Sequence, residues 1–258
     1  MDINPRAVRL AKLALWLETA HSGAKLENLD DQLKAADTLG DHFAWENEFA
    51  PVFKNKGFDA VVGNPPYRRE MDYKELFDAI AATKLGRRFR SPRMDLWYYF
   101  VHRGIQILRP GGKLSFITNA YWVSGSGAEK LIQNIYDEMS IEEVVVLGSL
   151  KVFEDVSGQH MIFRLVKSME SLPCTIRVPS RKEEKSAEPF FKHNGLFSEF
   201  TKGKSELFKN GKIDLEQSNE ELLGIFERGT PLEHFGQIRQ GIAENPSTIG
   251  RKVNQKHK

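Results

Sequence analysis

The chain has 258 residues, of which 40% are hydrophobic, enough for one sizeable α/β domain and an appendage. Its 37 basic and 35 acidic side chains leave a formal charge of +2, which speaks neither for nor against a nucleic-acid partner. One cysteine, Cys174, excludes a disulfide framework and a cysteine-rich zinc site.

The seven histidines show no ligand-like pairing, so no metal is expected. No apolar run is long enough to span a bilayer, and no basic-then-apolar leader stands before residue 20, so the expected location is cytoplasmic, away from membranes.

Asn4 and Pro5 read as a helix start, Asn as N-cap and Pro at the first helical position, and Leu10, Leu13, Ala14 and Leu17 carry that helix towards Ala20. Residues 21–33 are polar and loop-like. The run QLKAAD is a weak short strand ending at Asp37. Asp59, Ala60, Val61 and Val62 form a β-branched run that reads as a buried parallel strand, bounded by Gly63 and two prolines.

After that strand come Arg68, Arg69, Lys84, Arg87, Arg88, Arg90 and Arg93, a basic connection that is either a solvated face or a phosphate contact. A helix follows over about 94–108, with Leu96, Phe100, Gly104 and Ile107 near one face and Gly104 permitting close approach to a sheet. Arg109–Gly112 is a sharp turn, KLSFIT a strand, about 127–138 a helix, and IEEVVVLG and HMIFRLVK two more strands. Strand and helix alternate to about residue 148, which predicts a doubly wound parallel sheet. The final strand arrives without an intervening helix and is expected antiparallel to its predecessor. Beyond Ser168 the chain is highly charged with isolated aromatics such as Phe190, Phe191, Phe197 and Phe200. It is read as a linker or the start of a second domain, so the expected division is 1–168 and 169–258.

The stretch with the most chemistry is Asn64-Pro65-Pro66-Tyr67. Two prolines lack backbone donors and fix φ, so the strand stops and its carbonyls are left to face a ligand. The Asn side-chain oxygen and the Pro65 carbonyl are two acceptors, which suits an exocyclic amine with two hydrogens to give. Tyr67 adds a flat surface for a planar heterocycle. The alternative is a plain strand terminator, although an Asn-Pro-Pro-aromatic string arises by chance in only about two of a thousand chains this long.

NPPY at Asn64–Tyr67 resembles the catalytic motif of the amino-group DNA methyltransferases, specifically the adenine-specific enzymes. The wider pattern of DINPRAVRLAKLALWLE, GFDAVVGNPPY, DLWYYFVHRGIQILRPGGKLSFIT and VFEDVSGQHMIFRLV resembles the Eco57I-type restriction-modification and phage-defence group over residues 1 to about 168. FGQIRQGIAENPS more weakly resembles the entry to a DNA target-recognition domain. The resemblance implies a Rossmann-like methyltransferase sheet, S-adenosylmethionine as cofactor, and double-stranded DNA with a flipped adenine as partner.

It also implies roles residue by residue. Asp2 matches the acid that receives the cofactor's ribose hydroxyls. Asp37 stands where the family holds the cofactor's adenine amine, or is an ordinary turn aspartate. Asn64 and Pro65 would accept from the target amine, Pro66 completes the motif, and Tyr67 would stack on the base. Phe153 resembles the aromatic closing the opposite face, or is a core residue.

The family's glycine-containing cofactor loop lies on a first strand upstream of the acid that Asp2 matches, and residues 1–56 hold no Gly-rich turn after a strand. The expectation is therefore a methyltransferase domain incomplete at its N-terminus, a monomer or part of a larger restriction-modification or defence polypeptide, inactive as it stands. Loss of the central first strand is expected to expose strand edges and apolar helix faces. Competing readings are methylation of another amine, cytosine's or a protein glutamine's, and a DNA-binding module without catalysis.

Overall fold

The computed structural model describes residues 1–19, 28–148, 150–153, 158–180, 186–192 and 196–217, with Thr230 and His234. Residues Met1–Leu215 form one compact unit. Of a second unit, Glu216–Lys258, only Glu216, Gln217, Thr230 and His234 are described, so FGQIRQGIAENPS lies outside the described residues.

In chain order the elements are α1 (Pro5–Thr19), α2 (Trp45–Glu48), α3 (Ala50–Lys54), β1 (Phe58–Gly63), α4 (Lys74–Ala81), α5 (Lys84–Phe89), α6 (Trp97–Ile107) and β2 (Leu108–Asn119). There follow α7 (Glu129–Glu138), β3 (Ser140–Gly148), β4 (His160–Val166), β5 (Cys174–Pro179), α8 (Glu188–Lys192), β6 (Phe197–Lys202), α9 (Lys204–Leu207), and the short strands β7 (Phe208–Lys209) and β8 (Lys212–Ile213). No helix among the described residues is long and apolar enough to cross a membrane.

The main sheet has the order β1-β2-β4-β3-β5-β6. β1 runs parallel to β2, and β3 parallel to β5. β4 is antiparallel to its predecessor β3, as expected, and also to β2, so the later strand is inserted between two earlier ones. The sheet is therefore mixed rather than wholly parallel.

One face is built from alternate residues. Leu114, Phe116 and Thr118 of β2 stand opposite Leu165, Phe163 and Met161 of β4, and all six are buried under α6 and the Trp97–Trp122 pair. This is the main core. The other face carries a smaller cluster around Leu147, Leu150 and Ala187. Gly104 lets α6 lie against the sheet: a Cβ there would stand 2.4 Å from Leu114 Cδ1 and 3.5 Å from Val61 Cγ1.

Several expected elements differ in detail. QLKAAD contributes only a single bridge, Ala35 to Asp2, because one short segment with one partner cannot extend a ladder. The basic connection folds into α4 and α5, with Thr83 capping α5 through its hydroxyl to the Gly86 N–H at 3.0 Å. The Arg109–Gly112 turn is absorbed into β2 as an irregularity, since Phe58 pairs with Leu108 but Ala60 with Lys113.

The sheet also runs on past Ser168, where the sequence reading divided the chain. β5 and β6 are joined to it by a ladder of alternating charge: Arg164 on β4 to Glu143 on β3 (2.9 Å), Glu143 to Arg177 on β5 (3.1 Å), Arg177 to Glu199 on β6 (3.3 Å). Cys174, Ile176, Leu207 and Ile213 belong to the main core.

β1, read from the sequence as buried, is an edge. Among the described residues β2 is its one neighbour, and Val62 is 81% exposed. On α1 only Val8 is buried, while Leu10 and Leu17 are 66% and 72% exposed.

The close approach at Gly104 is testable. Gly104→Val should lower the unfolding free energy by about 1–3 kcal/mol through overpacking against Leu114, read as a shift in the urea midpoint at unchanged m-value.

Candidate functional site

The C-terminal ends of β1, β2 and β3 and the start of the antiparallel β4 lie on one rim, the usual place for ligands in open α/β sheets. β1 stops at Gly63, opposite Phe116. A Cβ on Gly63 would lie 3.0 Å from the Phe116 ring, so this glycine lets the ring close under the turn. The chain then passes through exposed Asn64, buried Pro65 and exposed Pro66, and is fastened again where the Arg68 carbonyl accepts from Leu96 N–H at 2.7 Å and the Met94 carbonyl from Glu70 N–H at 3.0 Å.

A cleft of about 690 Å³ brings four candidate positions together: Asp2, Asp37, Asn64 and Pro65, with Pro66 also on its wall. The remaining lining is largely apolar and includes Ile3, Val61, Val62 and Phe100. Asp2 and Asp37 are exposed, and each has one carboxylate oxygen in a local turn. Asp2 Oδ1 accepts from Asn4 N–H at 2.7 Å and Asp37 Oδ1 from Leu39 N–H at 2.9 Å. Local bonding thus orients both carboxylates while the second oxygen of each stays available.

Tyr67 and Phe153 are not on that lining. Tyr67 turns towards β2: its hydroxyl donates to the Ile117 carbonyl at 3.0 Å and lies 3.3 Å from Asn64 Oδ1. Burial pushes its phenol up to about 12. Phe153 meets the ring of His160 edge-on, with centroids 5.6 Å apart, and Tyr67 meets the same ring at 5.9 Å. The structure thus gives the candidate residues two places, a cleft beside β1 and an aromatic group at the mouth of β2 and β4, with Asn64 belonging to the first and touching the second.

Ile3, Phe100 and His160 were not singled out from the sequence as site residues. Its place directly after Asp2 was the available signal for Ile3. Phe100 had been read only as a sheet-facing residue of its helix.

Part of the basic connection is committed internally. Arg90 bonds Asp78 at 2.8 Å and Glu70 at 3.1 Å, and Arg88 lies over Phe89 and 3.7 Å from Glu138. Arg68 lies over Tyr73 and reaches the cleft, while Arg69 and Arg93 are exposed. Cys174 is buried in β5, its thiol pushed up to about 12 by burial, which makes it a poor nucleophile.

Residues 1–153 match the model of the Eco57I restriction-modification methylase family. The chain belongs to that family. Among similar methylases, the type II methyltransferase M.HincII of Haemophilus influenzae is 29% identical over 136 residues, 51% of this chain and 26% of that protein. M.XhoI of Xanthomonas vasicola is 34% identical over 141 residues, 53% of this chain and 25% of that protein. The matched stretch spans about a quarter of the length of these curated relatives. Of solved structures, the M protein of the type I restriction enzyme EcoKI aligns with a TM-score of 0.48 at 18% identity, over 74% of this chain and 39% of that one.

The environment of Tyr67 in this methylase-family chain gives a pH signature. Its folded-state pKa lies above that of an unfolded tyrosine, so the unfolded chain ionises first. The stability it contributes is complete below pH 10 and lost as pH rises to about 12. Tyr67→Phe should make the decline of unfolding free energy across that interval shallower, measured by urea denaturation at a series of alkaline pH values.

Proposed function

We propose that the full-length protein carrying these residues is an adenine-specific DNA methyltransferase of a restriction-modification or phage-defence system, which moves a methyl group from S-adenosylmethionine to the exocyclic amine of adenine. The observation that carries this reading is the convergence, in one cleft, of Asn64 and Pro65 at the end of β1 with Asp2 and Asp37.

The residues present fit part of the cofactor. Asp2 and Asp37 each have a carboxylate oxygen outside their local bond, suited to ribose hydroxyls and an adenine amine respectively, and Ile3 and Phe100 offer apolar faces for a planar ring. S-adenosylmethionine supplies a methyl group on a positively charged sulfur.

The protein's task is then to make adenine's amine nucleophilic. Its lone pair is delocalised into the ring, and two acceptors that draw its hydrogens out of plane localise it again. Asn64 Oδ1 and the Pro65 carbonyl are assigned that role. The Tyr67 hydroxyl, which donates to the Ile117 carbonyl, lies 3.3 Å from Asn64 Oδ1 and limits the positions open to the amide. Tyr67 and Phe153 are assigned to the two faces of a base taken out of the duplex, where stacking offsets part of the unpairing cost. No covalent enzyme intermediate is required, which agrees with the inert Cys174. Arg69 and Arg93, exposed beside this region, are assigned to backbone phosphates.

The cleft continues along the edge of β1 that is unpaired among the described residues, past Val61, Val62, Leu76 and Ile80. We assign that stretch to a further strand bearing the glycine-containing cofactor loop. The start of a target-recognition domain is placed within residues 169–258, a division that leaves β5 and β6 attached to the catalytic sheet.

Two experiments address this reading. In the full-length protein, Asn64→Ala should abolish formation of N6-methyladenine, followed by mass spectrometry of digested DNA, while DNA affinity stays within a few-fold of wild type. A DNA-binding module would make no methylated base before or after the change, and methylated cytosine or glutamine would redirect the substrate assignment. Calorimetric titration of the 258-residue polypeptide with S-adenosylmethionine should give affinity weaker than micromolar. Micromolar binding would show that no further strand or loop is needed.

A further inference from the structure

Tyr67 and Phe153 stand on different segments, yet both rings rest on a third. The His160 imidazole lies 5.9 Å from the Tyr67 centroid at 40° and 5.6 Å from the Phe153 centroid at 78°. It is 2% exposed and opens β4, paired on one side with Asn119, the last residue of β2, and on the other with Gly148, the last of β3. A side chain fixed by two neighbouring strands cannot drift, and the two rings leaning on it can be no farther apart than its two contacts allow.

The same rung has a second property. Among the described residues, six buried side-chain polar atoms lack a hydrogen-bond partner, and two of the six, His160 Nδ1 and Asn119 Oδ1, belong to directly paired neighbours. The Asn119 amide nitrogen donates to Asp95 Oδ2 at 3.1 Å. Buried unpaired polar atoms are costly, and a pair of them at a strand-end rim suits a surface that meets a ligand better than one sealed in the core. Burial holds the His160 pKa below its ordinary value against the opposing effect of the Gly158 backbone, so the ring stays neutral and packs as an aromatic.

We propose that His160 is a positioning residue of the base pocket, the spacer whose ring sets the gap between the Tyr67 and Phe153 walls and so the stacking of the flipped base. This rests on the reading of Tyr67 and Phe153 as the two walls and adds a residue to it. The ring, rather than its nitrogens, carries the role. It acts through its two neighbours, without touching the reacting amine.

The test compares His160→Ala, which removes the ring, with His160→Phe, which keeps one, in the full-length protein. Wild type is first shown to form N6-methyladenine, and a wild type that forms none defeats both this inference and the functional reading. Given that product, His160→Ala should raise KM for target DNA about tenfold and diminish the fluorescence of 2-aminopurine at the target position, with kcat changed far less, because stacking on each wall is weakened. His160→Phe should stay within about threefold of wild type in both readouts. Wild-type behaviour of His160→Ala overturns the inference and leaves the methyltransferase assignment standing. So does equal loss in the two variants when both melt cooperatively above the assay temperature, since that outcome assigns the role to a nitrogen.

Discussion

The parallel ladder between β1 and β2 ends at Gly63, because neither Pro65 nor Pro66 has an N–H with which to extend it, and the placement of the rim side chains follows from that stop. Had the ladder run on, Asn64 and Tyr67 would alternate to opposite faces of the sheet and their side chains would be separated by its thickness. The stiff Pro-Pro segment instead swings the chain outward. Tyr67 then comes back onto the Ile117 carbonyl of the neighbouring strand, and the Arg68 carbonyl is held by Leu96. Fastening at both ends fixes the segment between them.

The surroundings of that stop are unequally supported. On the β2 side lies a dense core of Trp97, Trp122, Phe116 and Phe163. On the other side β1 presents bare backbone and the side chain of Val62, and α1 presents leucines to water. An apolar side chain contributes to folding only when it is removed from solvent, so the leucines of α1 add little in this structure. The family relatives M.HincII and M.XhoI are about twice as long as the chain, and the matched stretch is about a quarter of each.

What the sequence made legible, and what it did not, divides along physical lines. Apolar strands were readable, β3 with its Val144–Val146 run and β4 with Met161, Ile162, Phe163, Leu165 and Val166 among them, because burial of central strands favours such residues. The packing role of Gly104 was readable from its place on an apolar helix face. β5 and β6 were not, because six-residue strands carrying Arg177 and Glu199 look like surface chain, and only the neighbouring charges make a ladder of them. The burial of β1 was misjudged since a sequence gives a strand's own composition and not its number of neighbours. Asn210-Gly211, both at positive φ in the β7–β8 turn, was a hairpin signal standing in plain view and unread. At the site, Asp2, Asp37, Asn64 and Pro65 were nameable from motif and resemblance. His160 was not, because a lone histidine opening an apolar strand carries no motif, and its meaning comes from two rings, of which Tyr67 is far away in the chain.

The insertion of β4 between β2 and β3 bears on how the chain acquires its shape. β2 and β3 are both made before β4, yet they share no hydrogen bonds with each other in the finished sheet. Until residues 160–166 have left the ribosome, each therefore has an open side of apolar residues, a state prone to wrong pairing. The centre of the sheet closes through contacts between chain segments some forty to fifty residues apart, such as Thr118 with Met161, which places its formation among the slower, non-local events of folding. The strand that completes the sheet begins with His160, so the floor beneath Tyr67 and Phe153 is laid only at the step that joins the sheet's two halves.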